Sequence, residues 1–144
     1  MITFVTTRLV REESVPYRKP LSAPDEIKDF AMEYLRDRDR ELLMIACLDN
    51  RNKPLSFSKI SEGGINGAVV DQRIIFKTAL LAGASKIVLI HNHPSGECEP
   101  SALDVEATKK VCECGKILDV RVIDHLIIGD DCYFSFFENG YISA

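Results

Sequence analysis

Leu42 to Leu48 is an unbroken apolar run, preceded by the charged stretch Arg36–Arg40 and followed by Asp49-Asn50-Arg51-Asn52. It is far too short to cross a membrane, and too short for a long helix. Its flanking charges and turn residues fit a strand buried on both faces. A second segment of this kind, Lys86-Ile87-Val88-Leu89-Ile90, lies further along. Two interior strands require a sheet covered on both sides, and the sequence between and around them supplies the covers.

Ile27, Phe30, Ala31, Tyr34 and Leu35 recur at helical spacing, and Ser22 with Asp25 predicts a capping box at the start of that helix, with Pro24 in its first turn. The helix is expected to end in Arg36–Arg40. Leu55–Ile60 alternates Ser with apolar residues and pairs as a hairpin with Leu42–Leu48. A glycine-rich loop over Glu62–Gly67 leads to a second helix from about Asp71 to an αL cap at Gly83. A third helix spans about Ser101 to Gly115, and Val120–Ile128 and Cys132–Phe137 form a hairpin across Gly129-Asp130-Asp131. Ile2 to Val10 alternates weakly and predicts an edge strand. The expected order is β-α-β-β-α-β-α-β-β, a mixed sheet with helices packed on it. Residues 1–21 read as a strand and connector, and 22–144 as the folded domain.

The chain has 144 residues, 46% hydrophobic, with 18 Lys+Arg against 22 Asp+Glu and a formal charge of −4. That length and apolar content suit a single domain and exclude a disordered or fibrous protein. The mild acidity and lack of basic clusters argue against strong direct DNA binding. Cys47, Cys98, Cys112, Cys114 and Cys132 are odd in number, irregularly spaced and without a Cys-x-x-Cys pair. They are expected to be buried or half-buried thiols in a reducing compartment. Arg8 and the short apolar stretch around it do not make a signal peptide, so a cytoplasmic protein without a membrane segment is expected.

The chemistry concentrates in Ile90-His91-Asn92-His93-Pro94-Ser95-Gly96, followed by Pro100-Ser101-Ala102-Leu103-Asp104. His91 and His93 end a buried strand, where residues i and i+2 project to one side. Ser95 and Gly96 turn the chain away, with Gly96 suited to positive φ. Asp104, in the first turn of the next helix, can swing back over the strand end. Two imidazoles and one carboxylate leave the fourth tetrahedral position open, as at a catalytic zinc. Ser101 and Asp104 also satisfy a capping box, so Asp104 has a purely helical alternative. Asp124 and His125 read as hydrogen-bonded packing residues rather than as a fourth ligand. Cys98 lies in the loop between the ligands, with nothing nearby in sequence to activate it.

His91-x-His93, ten intervening residues and Asp104, with Ser101 between, resembles the JAB/MPN metalloprotease signature, the JAMM motif. The longer string through Pro94-Ser95-Gly96, with Asp124-His125-Leu126-Ile127-Ile128 downstream and Glu41, Leu48-Asp49, Gly64 and Asn66 upstream, resembles its RadC branch over about residues 22–140. The resemblance implies a deaminase-like three-layer α/β/α core and Zn2+ held by His91, His93 and Asp104. It further implies Glu41 as the base acting on a water at the metal, and Ser101 helping to stabilise the oxyanion. Glu62 and Glu97 are the rival bases, since spacing alone does not single out Glu41. The helix-hairpin-helix module of longer RadC-like proteins has no counterpart in residues 1–21, which weakens the expectation of a DNA-repair role.

The function so implied is a zinc-dependent peptidase or isopeptidase acting on a protein or peptide substrate, with specificity set by the Ser61–Gly67 and Glu97–Pro100 loops. A zinc deaminase would require His-x-Glu with Pro-Cys-x-x-Cys, neither of which is present. The competing reading from another class is a metal-stabilised binding module acting through protein or DNA partners without hydrolysis. Oligomeric state is not encoded in any of these patterns.

Overall fold

A computed structural model describes residues 1–14, 20–35, 38–63 and 70–143. The elements are α1 (Pro24–Leu35), β1 (Leu42–Leu48), β2 (Pro54–Glu62), α2 (Gln72–Leu81), β3 (Lys86–Asn92), α3 (Ala102–Leu118), β4 (Arg121–Ile128) and β5 (Tyr133–Ser135). The strands form one sheet in the order β2-β1-β3-β4-β5. β3 and β4 run parallel and the remaining neighbours antiparallel, so the sheet is mixed.

Period-2 alternation sorts β1 between two cores. Leu42, Met44, Ala46 and Leu48 face α1 with Ile27, Ala31, Leu35, Val88, Ile90, Leu126 and Ile128. Leu43, Ile45 and Cys47 face the opposite layer with Ile75, Phe76 and Ala79 of α2, Val111 of α3, and Ile87 and Leu89. Every residue of β1 is therefore buried, as its unbroken apolar run requires. The result is the expected three-layer α/β/α fold. Truncating a central residue such as Ile45 or Leu89 would cost about 2–5 kcal/mol.

The local signals hold with two changes. Asp71 caps α2, accepting from the Arg73 amide, and Gly83 follows it with φ 70°. At α1 the predicted Ser22–Asp25 capping box is replaced: the Glu26 carboxylate accepts the amides of Ser22 and Ala23 at 3.0 and 3.3 Å. The frame shifts because Ala23, not Ser22, supplies the carbonyl that starts the helix. The expected strand over Ile2–Val10 is not formed. Residues 1–14 carry no strand pairing, and Ile2, Phe4, Val5 and Val10 are exposed. Alternation specifies a face, but a strand also needs an edge to pair with, and neither β2 nor β5 meets this segment. The element order accordingly begins with α1. Leu21 is fully buried and donates to the Asn52 carbonyl at 2.8 Å, tying the segment ahead of α1 to the turn after β1.

The thiol assignment also needs correction. Cys98 and Cys132 form a disulfide, with Cα atoms 6.2 Å apart, while Cys47, Cys112 and Cys114 are free. The two partners are 34 residues apart. They meet because the loop after β3 lies against the β4–β5 turn, an approach that spacing does not reveal. Asp130 donates to the Gly96 carbonyl at 3.1 Å there, and a side chain at Gly129 would collide with the Gly96 carbonyl and both sulfurs.

Candidate metal centre

β1 and β3 are antiparallel neighbours, with Leu43 opposite His91. The start of β1 and the carboxyl end of β3 therefore share one edge of the sheet, which α3 enters through its first turn. At that edge Glu41, His91, His93 and Asp104 each offer one ligand atom, and these atoms all lie within 4.8 Å of one another. Among the described residues this is the one such group, and neither Glu62 nor Glu97 belongs to it.

His91 Nε2 and His93 Nε2 are 3.0 Å apart. Asp104 presents Oδ1 at 3.6 Å from His91 Nε2 and Oδ2 at 3.2 Å from His93 Nε2. A tetrahedral ion with bonds of ~2.0–2.1 Å holds neighbouring ligand atoms ~3.3–3.4 Å apart, so the three side chains fit three corners of such a site. Glu41 Oε1 stands 3.6 Å from His91 and 3.8 Å from His93. Side-chain exposure of 6% for His91, 16% for His93, 18% for Asp104 and 20% for Glu41 leaves the site anchored below and open above.

The donor chemistry agrees. His93 Nδ1–H donates to the Glu97 carbonyl at 3.2 Å, and because a carbonyl can only accept, the neutral ring has its lone pair on Nε2. That lone pair and two carboxylates converge on one point, which demands a positive charge. The hydrogen bond to Asp104 raises the His93 pKa against the effect of burial. Burial opposes ionisation of Asp104, yet the His93 and Ser101 hydrogen bonds hold its carboxyl well below the ordinary range. His91 is different, with burial pushing its pKa down to about 4. The cluster can hold a metal ion.

Local sequence explains each placement. Ser101 is the N-cap of α3: its hydroxyl oxygen accepts the Asp104 amide at 3.0 Å, and Asp104 Oδ2 accepts the Ser101 amide at 2.8 Å. The capping box and the ligand assignment are thus compatible rather than alternatives. Gly96, at φ 86°, makes the turn that lets the chain leave β3 and return as α3.

Two residues escaped sequence reasoning. Asn92, between the two histidines and on the other face of β3, accepts the Leu42 amide at 2.7 Å and donates to the Arg40 carbonyl at 2.9 Å. It clamps both peptide groups flanking Glu41. The signal available was a polar residue inside an apolar strand end. Thr108 bonds to His125, which in turn meets His91 Nδ1. His125 is buried and hydrogen-bonded on both ring nitrogens, and burial is the chief cause that lowers its pKa well below the usual histidine range. Asp124 accepts hydrogen bonds from the Ser135 hydroxyl and the Phe137 and His125 amides, and is not part of the ligand cluster.

Beside His93 lies a cavity of about 270 Å3 with Leu35, Pro94 and Ile128 among its apolar lining, and Arg38 and Asp130 as charged residues. Gly64–Val69, which hold most of the first predicted specificity loop and the Gly64 and Asn66 positions, fall outside the described residues. No helix among the described residues is long and apolar enough to cross a membrane.

Comparison with known proteins places these features in a family. The model of the RadC-like JAB domain matches residues 21–141. A UPF0758 protein of Trichlorobacter lovleyi is 40% identical over 121 residues, covering 84% of this chain and 53% of the relative. One from Flavobacterium johnsoniae is 38% identical over 133 residues, covering 92% and 58%. One from Histophilus somni is 36% identical over 140 residues, covering 97% and 63%. The chain spans between about half and two thirds of the length of these curated relatives. With the matched domain running from the buried Leu21 to beyond β5, the chain belongs to the RadC-like JAB domain family.

Proposed function

We propose that the chain is a zinc-dependent metallohydrolase that cleaves an amide bond in a protein or peptide, as a peptidase or isopeptidase. The observation that carries this reading is the meeting of Glu41, from ahead of β1, with His91, His93 and Asp104 from β3 and α3. Glu41 Oε1, 3.6 Å from His91 Nε2 and 3.8 Å from His93 Nε2, is close enough to these three ligands to act on a water held beside them.

Zn2+, when bound by His91, His93 and Asp104, would lower the pKa of water from ~15.7 to ~7 and polarise the substrate carbonyl. Glu41 is the general base: it removes a proton from the attacking water and returns it to the leaving amine. Asn92 holds Glu41 in place through the peptide groups on either side. The Ser101 oxygen is engaged by the Asp104 amide, while its proton is available to a developing oxyanion. The cavity beside His93 offers room for one side chain of the substrate.

The test is zinc content and cleavage of peptide and isopeptide panels by the wild type, E41Q and H91A. Glu41→Gln should keep zinc and lose about 10²–10⁴-fold in cleavage. His91→Ala should lose the metal. If E41Q cleaves as fast as wild type, the base assignment fails; if it loses zinc as H91A does, Glu41 is a fourth ligand. A wild type that binds zinc and cleaves nothing favours the metal-stabilised binding module.

A further inference from the structure

On the far side of the His91 ring, a buried polar chain runs away from the ligand cluster. His91 Nδ1 lies 2.6 Å from His125 Nε2, His125 Nδ1 lies 2.6 Å from Thr108 Oγ1, and Thr108 Oγ1 lies 2.7 Å from the Asp104 carbonyl oxygen. His91, Thr108 and His125 are all buried. The His125 ring is pinned by stacking on Phe136, with centroids 4.6 Å apart and planes 10° from parallel.

Each of these three contacts is short enough to need a proton between its atoms. Two neutral imidazoles and one hydroxyl supply three protons, one per contact. The Asp104 carbonyl, at the end of the chain, can only accept. Thr108 must therefore donate to it, His125 Nδ1–H must donate to Thr108, and His91 Nδ1–H must donate to His125 Nε2. No other arrangement places one proton in each gap.

We propose that Thr108 and His125 are positioning residues of the metal site, whose one-way hydrogen-bond chain holds His91 as the Nδ1–H tautomer with the Nε2 lone pair turned toward His93 and Asp104. This rests on the metallohydrolase reading of the cluster and extends it to two side chains that offer the metal no ligand atom. The direction is set at Thr108. Without its hydroxyl, a proton on His125 Nδ1 has no acceptor in that chain, and the neutral ring is better protonated at Nε2. Nε2–H then donates to His91 Nδ1 and leaves the His91 proton on Nε2, where ligation needs a lone pair.

The experiment compares wild type, T108V and T108S, each with 15N-labelled histidine rings, metal-free and with Zn2+. In the metal-free wild type, His91 should show a protonated Nδ1 and an unprotonated Nε2. Thr108→Val should move that proton to Nε2 and weaken Zn2+ binding, read by competition with a chelating indicator, by about 10–100-fold. Thr108→Ser should restore both. His125→Gln, whose amide oxygen can still accept from His91, should bind Zn2+ more tightly than His125→Leu, and this pair carries the comparison if T108V does not fold.

The proposal is overturned if folded T108V keeps the His91 proton on Nδ1, or if Zn2+ affinity is the same in T108V and T108S. Equal affinity in the His125 pair overturns it too. A wild type that binds no Zn2+ would instead sink the metallohydrolase reading, while the ring spectra of the metal-free protein would still decide the direction of the chain.

Discussion

Ser101 and Asp104 hold each other by reciprocal backbone-to-side-chain hydrogen bonds of 3.0 and 2.8 Å, and the Asp104 oxygen that accepts from Ser101 also lies 3.2 Å from His93 Nε2. One carboxylate therefore caps α3 and belongs to the candidate metal cluster. Its ligand geometry comes from a helix cap, which a short stretch of sequence can specify.

Ser101→Ala removes the hydroxyl but leaves the Ser101 amide on Asp104. It should cost about 1 kcal/mol in urea unfolding and leave zinc bound. If the Ser101 proton serves the oxyanion, cleavage falls by about 10²-fold or more. Unchanged cleavage in a zinc-loaded S101A protein would confine Ser101 to the cap.

Asn92→Ala leaves the Leu42 amide and Arg40 carbonyl without their partner. The fold should lose about 1–3 kcal/mol. The hydrolytic rate should fall more than zinc affinity, because the clamp bears on Glu41 rather than on a ligand. Asn92→Asp keeps the acceptor for Leu42 but sets a second acceptor against the Arg40 carbonyl, so it should not rescue the rate. Equal loss of zinc and rate in N92A would contradict a clamp specific to Glu41.

The Cys98–Cys132 bridge closes a loop with a sequence separation of 34 that contains Asp104 and all of α3. Loop-closure entropy assigns such a bridge about 3–4 kcal/mol. Reduction by a dithiol, or Cys98→Ser, should lower the unfolding free energy by up to that amount. The two changes together should do no more than either alone. Peptide mapping without reductant should recover the 98–132 linkage, and its absence would remove the expected difference.

Asp124 is buried, and burial raises its pKa, partly offset by hydrogen bonds from the Phe137 amide, the Ser135 hydroxyl and the His125 amide. A folded-state pKa above the unfolded value means that its contribution is fully present below the unfolded pKa and is lost as pH rises through the folded one. Asp124→Asn cannot ionise and keeps an acceptor for both amides. Its stability relative to wild type should therefore improve as pH rises above about 4, the unfolded value. A constant difference across that range would show that Asp124 ionises without cost. Asp124→Ala, which abandons all three donors, should be destabilising throughout.

The unbroken apolar run of β1, the pairing of His91 with His93 on one side of β3, and the Ser101–Asp104 cap are legible in sequence because each is local. Strand alternation and the first turn of a helix are set by sterics and hydrogen bonds within a few residues. The strand expected at Ile2–Val10 and the Ser22–Asp25 cap failed at that same scale. The first lacked a partner edge, and the second was displaced when the helix started one carbonyl later.

By itself, then, the sequence determined the layered fold class, three candidate ligands for a metal and the family to which they point. The tertiary structure decided what stands around those ligands: Glu41 rather than Glu62 or Glu97, the Asn92 clamp, the Thr108–His125 chain and the Cys98–Cys132 bridge. These contacts join residues many positions apart through the strand order β2-β1-β3-β4-β5. That order is selected by burying both faces of the sheet at once, a property of the whole chain that no local pattern carries.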